Sequence, residues 1–285
     1  MQQKDEMVEF AVPPDHVAAF QRDGFLVVRG MFSREEISLI RTALEQDPAI
    51  RSNGVNREDD SGAVTRSVVW LEPGDSTYGR VARLPRVVDT MAACLGDEVY
   101  HYQAKLNAKE PREGGSWAWH QDYGYWYEQN CHYPDMGTMM LALDPSTKEN
   151  GCLQVLAGSH RMGTVRHVFT EGGQRSADPE RVDEIMKVLD LVYCELDPGD
   201  ALFFHCNTLH RSDRNRSDTQ RWMLLDCYNT RHNSPFKAVV PGTPYRPIEK
   251  VPDDTILSTG LRFATGEEKF QSTYVEEQKK AAGVI

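Results

Sequence analysis

Hydrophobic and polar residues at the start of the chain alternate in a way that predicts helix, strand and helix in succession. The segment 13–24 has the composition of a short helix ending at a glycine, and the β-branched run 25–30 predicts a strand. Ser33 is followed three residues later by Glu36, which is the pattern of a capping box at a helix start. Another helix is predicted over 85–96.

Short apolar runs separated by turn residues then continue to about residue 230, which predicts a β-sandwich or barrel core. The predicted strands share this β-type pattern: 98–108, 137–144, 152–158, 191–197, 201–206 and 221–229. A helix over 177–190 interrupts them. We therefore predict one domain over 1–285: an N-terminal portion of helix and strand (1–97, with a polar loop at 50–63), a β core (98–230) and a tail that wraps the surface (231–285).

The composition narrows the range of partners. The chain has 285 residues, of which 40% are hydrophobic, and a formal net charge of -11. That charge disfavours nucleic acid and anionic membranes, so we expect a small-molecule substrate. Six scattered cysteines without a paired motif indicate a reducing compartment. The polar N-terminus does not resemble a signal peptide, and we predict a cytoplasmic protein. The oligomeric state is not predictable from these features.

Candidate metal ligands lie in two segments of the predicted core. His120 and Asp122 are two residues apart, so on a strand both side chains would project to the same face. The segment 201–212 adds His205 and His210 as candidates for a third ligand. Two imidazoles and one carboxylate on one face of a metal form the arrangement of non-haem iron(II) oxygenases, in which a bidentate oxo-acid and dioxygen occupy the open positions.

An arginine follows at a suitable place for the co-substrate. Arg221 opens the last predicted strand, eleven residues after His210. A guanidinium can grip a carboxylate through two parallel hydrogen bonds, so Arg221 is the candidate anchor for 2-oxoglutarate. The H-x-D pattern alone occurs often by chance. The combination with a later histidine and arginine is much more specific.

Several segments resemble the phytanoyl-CoA dioxygenase family of iron(II)- and 2-oxoglutarate-dependent oxygenases. The resemblance covers roughly 15–236 and rests on FQRDGFLVVRGMFSREEI, NGCLQVLAGSHRMG and DPGDALFFHCNTLHRSDRNRSDTQR. It implies a mainly β fold with peripheral helices around a double-stranded β-helix (jelly-roll, cupin-like) core. It also implies that His210, and not His205, is the third iron ligand.

The ectoine hydroxylase branch of that family gives a closer local resemblance. It implies that Gln103 and Asn107 contact 2-oxoglutarate and that Thr138 is a further contact. Lys105 stands where that branch has a substrate-binding arginine. Trp126 matches an aromatic residue lining the active site, and Trp117 stands where a phenylalanine occurs; the resemblance thus implies substrate contacts for all three.

These features predict a dioxygenase that hydroxylates an unactivated C–H bond of a small metabolite or natural-product intermediate, releasing succinate and carbon dioxide. Retention of Asp122 favours hydroxylation over halogenation, and Lys105 argues against ectoine itself as the substrate. Two alternatives stay open: a jelly-roll protein that binds a metal without turnover, and a metal-dependent hydrolase. The identity of the substrate and the position of oxidation are not determined at this level.

Overall fold

The computed structural model describes residues 10–171, 174–237 and 244–272. Residues 1–9, which belong to the polar N-terminus that does not resemble a signal peptide, lie outside this range. Eight helices occur in the described part: α1 Pro14–Asp23, α2 Arg34–Gln46, α3 Pro48–Ser52, α4 Thr77–Val81, α5 Pro85–Leu95, α6 Tyr123–Trp126, α7 Pro179–Met186 and α8 Thr255–Thr259. The strands are β1 Phe25–Val28, β2 Val55–Glu58, β3 Val64–Trp70, β4 Val99–Lys109, β5 Trp117–His120, β6 Met136–Ala142, β7 Leu153–Leu156, β8 His167–Phe169, β9 Arg175–Ala177, β10 Leu191–Cys194, β11 Ala201–His205, β12 His210–Ser212 and β13 Arg221–Thr230.

Two antiparallel sheets form the centre of the fold. The larger has the strand order β1-β11-β6-β13-β4-β3-β2, and the smaller has the order β10-β7-β12-β5. One hydrophobic cluster joins the sheets, with Met140 and Phe204 from the larger and Val155 from the smaller. Neighbouring positions on the same strands, such as Met139 and Leu141, instead pack with the helices on the outer face. Because both faces of β6 are buried, its apolar residues do not alternate with exposed polar ones.

The helix boundaries follow the local signals in the sequence. The amide of Glu36 donates to the Ser33 hydroxyl at 3.2 Å, and the Ser33 amide donates to the Glu36 carboxylate at 2.8 Å, which completes the predicted capping box. Gly24 ends α1 with a φ of 81°, a left-handed conformation that glycine adopts without strain. The helix predicted over 177–190 is shorter, and its N-cap is Asp178.

The polar segment 50–63 was predicted to be a loop, but part of it forms helix and strand. It contains the end of α3 and all of β2, and β2 pairs with β3 at the edge of the larger sheet. All four side chains of β2 are exposed, so the strand lacks the alternating apolar pattern by which strands are recognised. Since β1, β2 and β3 all belong to the larger sheet, this sheet extends into the predicted N-terminal portion 1–97.

The described part of the C-terminal segment packs on the domain. Phe270 forms a β-bridge with Trp70, and α8 lies against α2 and α4. Residues 238–243 and 273–285 of the predicted wrapping tail lie outside the described residues. Among the described helices, none has the length and apolar character needed to span a bilayer. The division of the chain into a single domain with three portions stays a prediction.

Candidate active site

The pairing of β12 with β5 brings two distant histidines together. His210 lies directly opposite His120 in the register of this strand pair, and their ring centroids are 4.1 Å apart. Both rings project from the smaller sheet towards the larger one, where His210 also packs against Phe204 of β11. The two histidines are ninety positions apart in the chain, and this strand pairing brings them into one site.

Asp122 completes a cluster of three potential metal ligands. It lies two residues after the end of β5, as the N-cap residue of α6, and its Oδ1 lies 3.9 Å from Nε2 of His120. One ligand atom from each of His120, Asp122 and His210 lies within 4.8 Å of the other two. The strand thus ends two residues before Asp122, earlier than the period-two argument assumed, and the carboxylate still reaches the same site.

Both imidazoles are oriented by backbone carbonyl groups. Nδ1 of His120 lies 2.7 Å from the carbonyl oxygen of Ala118, and Nδ1 of His210 lies 2.8 Å from that of Thr208. A carbonyl can only accept, so each Nδ1 carries the proton and each Nε2 keeps its lone pair for a metal. Burial lowers the pKa of His120 to about 3 and the pKa of His210 below its ordinary value, so both rings are neutral at physiological pH.

The Asp122 carboxylate is buried but ionised. Burial by itself would raise its pKa, yet the nearby Lys105 ammonium, 4.0 Å away, and the Thr138 hydroxyl hold the pKa below the ordinary value. The hydroxyl of Thr138 donates to Oδ2 at 3.3 Å from the facing strand β6. An ionised carboxylate between two neutral imidazoles is the donor set that a divalent transition metal requires.

Two residues absent from the sequence predictions hold the backbone between the ligands. Gln121 is completely buried, accepts from the Val165 amide at 2.7 Å and donates to the Asn207 carbonyl at 2.9 Å. The Gln121 amide donates to Nε2 of His167 at 3.1 Å. The H-x-D segment is therefore anchored on its rear side, which restricts how the ligand side chains can move.

A narrow inner cavity extends from the metal ligands to Arg221. Its lining includes Asn107, Ser212 and Arg221 together with His210. Arg221 begins β13 and is only 3% exposed, and within the described part of the chain its Nε and Nη1 have no hydrogen-bond partner. Burial lowers the pKa of Arg221 to about 10, so it stays charged at neutral pH. An unpartnered buried guanidinium facing a cavity is a binding site for an anion.

A wider outer cavity of about 500 Å³ lies on the solvent side of the same ligands. The strands β2, β3, β4, β5 and β9, the segment after β5 that includes α6, and the C-terminal segment contribute its lining side chains: Asn56, Arg57, Glu58, Ser67, Val69, Gln103, Lys105, Trp117, His120, Asp122, Tyr125, Trp126, Gln129, Gln174, Arg175 and Gln271. The Lys105 ammonium lies 5.9 Å from the ring centroid of Trp126. Lys105, Trp117, His120 and Asp122 line both cavities, so the candidate metal position lies where the cavities meet.

The structure distributes the remaining predicted site residues between these spaces. Asn107 lines the inner cavity, whereas Gln103 and Trp126 line the outer one. The indole Nε1 of Trp117 has no hydrogen-bond partner within the described residues. Thr138 lines neither cavity and instead contacts Asp122. The contacts of Thr138 and Gln103 with 2-oxoglutarate stay predictions.

Comparison with known proteins places this geometry in a family. The family model described as "Phytanoyl-CoA dioxygenase (PhyH)" matches residues 20–223. The chain belongs to the phytanoyl-CoA dioxygenase family. The L-proline trans-4-hydroxylase of Streptomyces griseoviridis is 30% identical over 257 residues, covering 82% of this chain and 96% of the relative. The ectoine dioxygenase of Stutzerimonas stutzeri is 28% identical, and the match covers 81% of each chain.

A solved structure supports the same assignment. The crystal structure of EctD from S. alaskensis with 2-oxoglutarate and 5-hydroxyectoine superposes with a TM-score of 0.70 at 27% identity, covering 85% of this chain and 88% of that one. The jelly-roll fold, the family and the class of iron(II)- and 2-oxoglutarate-dependent dioxygenase predicted from the sequence are confirmed. His205 packs against Phe20 and His160 and lies outside the ligand cluster, which agrees with its exclusion as a ligand.

Proposed function

We propose that His120, Asp122 and His210 hold iron(II), that Arg221 binds the distal carboxylate of 2-oxoglutarate, and that a small molecule in the outer cavity is hydroxylated. The observation that carries this proposal is the position of an unpartnered, buried guanidinium at one end of a cavity whose other end is formed by the three ligand side chains. The two requirements of the reaction, a metal site and a carboxylate site, are thus met in one continuous space.

The residues present suit the metal. Two neutral imidazoles with free Nε2 atoms and one ionised carboxylate leave the opposite side of the metal open towards the cavities. Bound iron(II) and 2-oxoglutarate together activate dioxygen, so that one oxygen atom enters a substrate C–H bond and the other enters succinate as carbon dioxide is released.

The protein contributes orientation around this chemistry. Arg221 directs the co-substrate along the inner cavity, and Asn107 presents an amide there because its own carbonyl oxygen accepts from the Ser67 hydroxyl at 2.9 Å. Trp117 and Trp126 form apolar walls that keep water from the reacting C–H bond. Tyr125 lies edge-on against the His120 ring at 5.9 Å and limits its movement.

The substrate we propose is small and carries an anionic group, such as a carboxylate. Within the described residues the Lys105 ammonium forms no hydrogen bond, and its nearest carboxylate oxygen is that of Asp122 at 4.0 Å. Coordination to a metal would draw that carboxylate away from Lys105, leaving the ammonium protons for a substrate anion. Relatives named for L-proline and ectoine support a substrate of this size.

Neither alternative is favoured by an observation of the site. A metal protein without turnover has no need for a buried, unpartnered arginine that is costly to fold. A hydrolase needs a general base beside the metal, and among the described residues lining the cavities the acidic ones are Asp122 and Glu58, the latter on the exposed strand β2. We also propose a cytoplasmic location, because all six cysteines are buried free thiols.

The decisive experiment is an anaerobic titration of the iron(II)-loaded protein with 2-oxoglutarate. We expect a weak visible charge-transfer band that saturates at about one equivalent of 2-oxoglutarate, because 2-oxoglutarate chelates the iron held by the three ligands. Iron binding without this band would contradict the proposed co-substrate site. Where the band forms, succinate release then identifies substrates among small carboxylates and amino acids.

Three variants make the titration specific. His210→Ala should lose iron and the band together, since one of three ligands is removed. Arg221→Ala should retain iron but need about a hundredfold more 2-oxoglutarate, because a charged hydrogen-bonding partner is lost. His205→Ala, which removes a half-buried histidine of the same segment outside the cluster, is the matched control and should behave like the parent.

A further inference from the structure

Lys109 is a completely buried lysine that has no part in the function proposed above. It ends β4, is 0% exposed, and donates from Nζ to the Ser212 hydroxyl at 2.8 Å and to the Asp213 carbonyl at 2.6 Å. Burying an ammonium group costs several kcal/mol unless an opposite charge accompanies it. Its position therefore requires a physical reason.

Lys109 lies directly opposite the co-substrate arginine. It is the register partner of Arg221 on the adjacent antiparallel strand, so the two cations are cross-strand neighbours. Like charges in this position repel each other, and here both are buried. Across residues 10–171, 174–237 and 244–272, neither forms an ion pair. The carboxylates whose charge reaches them, Asp213 and Asp59 for Lys109 and Asp144 for Arg221, lie beyond ion-pair distance, so an anion in the cavity would stabilise both cations.

Ser212 connects Lys109 to the inner cavity. It lies two residues after His210 on β12, so both side chains are on the same face, and it lines the cavity together with Arg221. Because its oxygen accepts a hydrogen bond from Lys109, its own proton is free to be donated away from the ammonium. The serine hydroxyl and the guanidinium can then serve the same acceptor in the cavity.

We propose that Lys109 is a positioning residue of the 2-oxoglutarate site, which fixes the Ser212 hydroxyl beside Arg221 and adds a second positive charge for the distal carboxylate. This inference rests on the proposed function. Burial, and then the charge of Arg221, lower the pKa of Lys109 well below its ordinary value. A carboxylate bound next to it favours the protonated amine, so the anion and the ammonium stabilise each other.

The competing explanation is purely structural. Lys109 could serve only to tie the turn at Ser212 and Asp213 to β4 through its two hydrogen bonds. Both explanations expect a loss of thermal stability in a variant without the ammonium. They differ in which ligands the variant binds more weakly, since only the positioning role acts on the distal carboxylate.

The test compares two oxo-acids on the metal-loaded Lys109→Met protein by anaerobic calorimetry. 2-Oxoglutarate has the distal carboxylate, whereas 2-oxobutanoate has the same chelating end and lacks it. We expect the Kd for 2-oxoglutarate to rise at least about tenfold and the Kd for 2-oxobutanoate to stay within about twofold, as for a lost charge-assisted hydrogen bond.

Ser212→Ala keeps the inference testable if Lys109→Met does not fold. It should raise the Kd for 2-oxoglutarate but not the Kd for 2-oxobutanoate. Because the two residues act as one unit, the double variant should bind 2-oxoglutarate no more weakly than the weaker-binding single variant. Lys148→Met, at an exposed lysine, is the control. Equal weakening of both ligands, or no weakening of either, would overturn the inference. Failure of the parent protein to bind 2-oxoglutarate would instead overturn the proposed function.

Discussion

Asp122 supplies the negative charge of the candidate metal centre, and its orientation depends on side chains from the facing sheet. Thr138 of β6 donates to one carboxylate oxygen at 3.3 Å, and Lys105 of β4 lies 4.0 Å from the other. Removal of a group that hydrogen-bonds to a metal ligand typically lowers the metal affinity about 10- to 100-fold. Thr138 is completely buried, so no water replaces its hydroxyl if it is removed.

Replacement of Thr138 by valine tests this arrangement. Thr138→Val keeps the shape of the side chain and removes the donor, and we expect the Kd for iron(II) to rise about tenfold. Equilibrium dialysis of the anaerobic protein measures this change, and Thr138→Ser, which restores the hydroxyl, should bind like the parent. An unchanged iron affinity with a raised 2-oxoglutarate requirement would favour the original prediction that Thr138 contacts the co-substrate.

The single turn of α6 determines how the outer cavity is closed. It turns the chain away from β5 after the ligand segment and places Tyr125 beside His120. The Tyr125 hydroxyl donates to the Arg175 carbonyl at 2.9 Å, which links α6 to the β8–β9 hairpin. Gly124 allows the close approach, since a Cβ there would lie 2.3 Å from the His167 ring. The hairpin and the ligand segment are thus packed as one unit.

Loss of the Tyr125 hydroxyl should loosen this unit. For Tyr125→Phe we expect about fivefold faster hydrogen exchange at the backbone amides of β8 and β9, because one hydrogen bond worth about 1 kcal/mol is removed. Tyr127→Phe changes the same residue type two residues later, at the C-cap of α6, where the side chain is 62% exposed, and should leave the exchange unchanged. Equal exchange rates in the two variants would show that the hydroxyl does not hold the hairpin.

At the scale of the whole molecule, Asp47 connects three separate segments on the outer face of the larger sheet. It caps α3 through the Ala49 amide at 2.8 Å, and its other oxygen accepts from the Tyr78 hydroxyl at 2.9 Å and from the Ala264 amide at 2.6 Å. The side chain is 1% exposed. The C-terminal segment is therefore held to α3 and α4 by a buried carboxylate far in sequence from the site.

Asp47→Ala should destabilise the fold without changing the site. Loss of these acceptors leaves buried donors unsatisfied, so we expect the free energy of unfolding to fall by about 3 kcal/mol. Urea denaturation followed by circular dichroism measures the loss, and Asp183→Ala, at an exposed aspartate of α7, is the control. In the folded protein, iron(II) and 2-oxoglutarate binding should equal that of the parent. A weakened metal site would show that the outer face influences the ligands.

The elements that the sequence predicted well are those whose signals are local. The capping box at Ser33, the end of α1 at Gly24 and the apolar runs of the core depend on residues within a few positions of each other. By contrast, β2 carries no apolar face, since it lies exposed at a sheet edge, and its pairing with β3 is a property of the fold. The prediction of a loop over 50–63 was wrong at β2 for that reason.

By itself, the sequence determined the enzyme family and predicted His120, Asp122 and His210 as candidate ligands and Arg221 as candidate anchor, because these depend on residue chemistry and spacing within motifs. Only the tertiary structure decided which side chains share a cavity. Lys109 and Ser212 are 103 positions apart, and Gln121 meets Asn207 and Val165 across 86 and 44 positions. Contacts of this kind leave no periodic trace in the chain, since they arise only when β4, β5, β12 and β13 are paired and stacked.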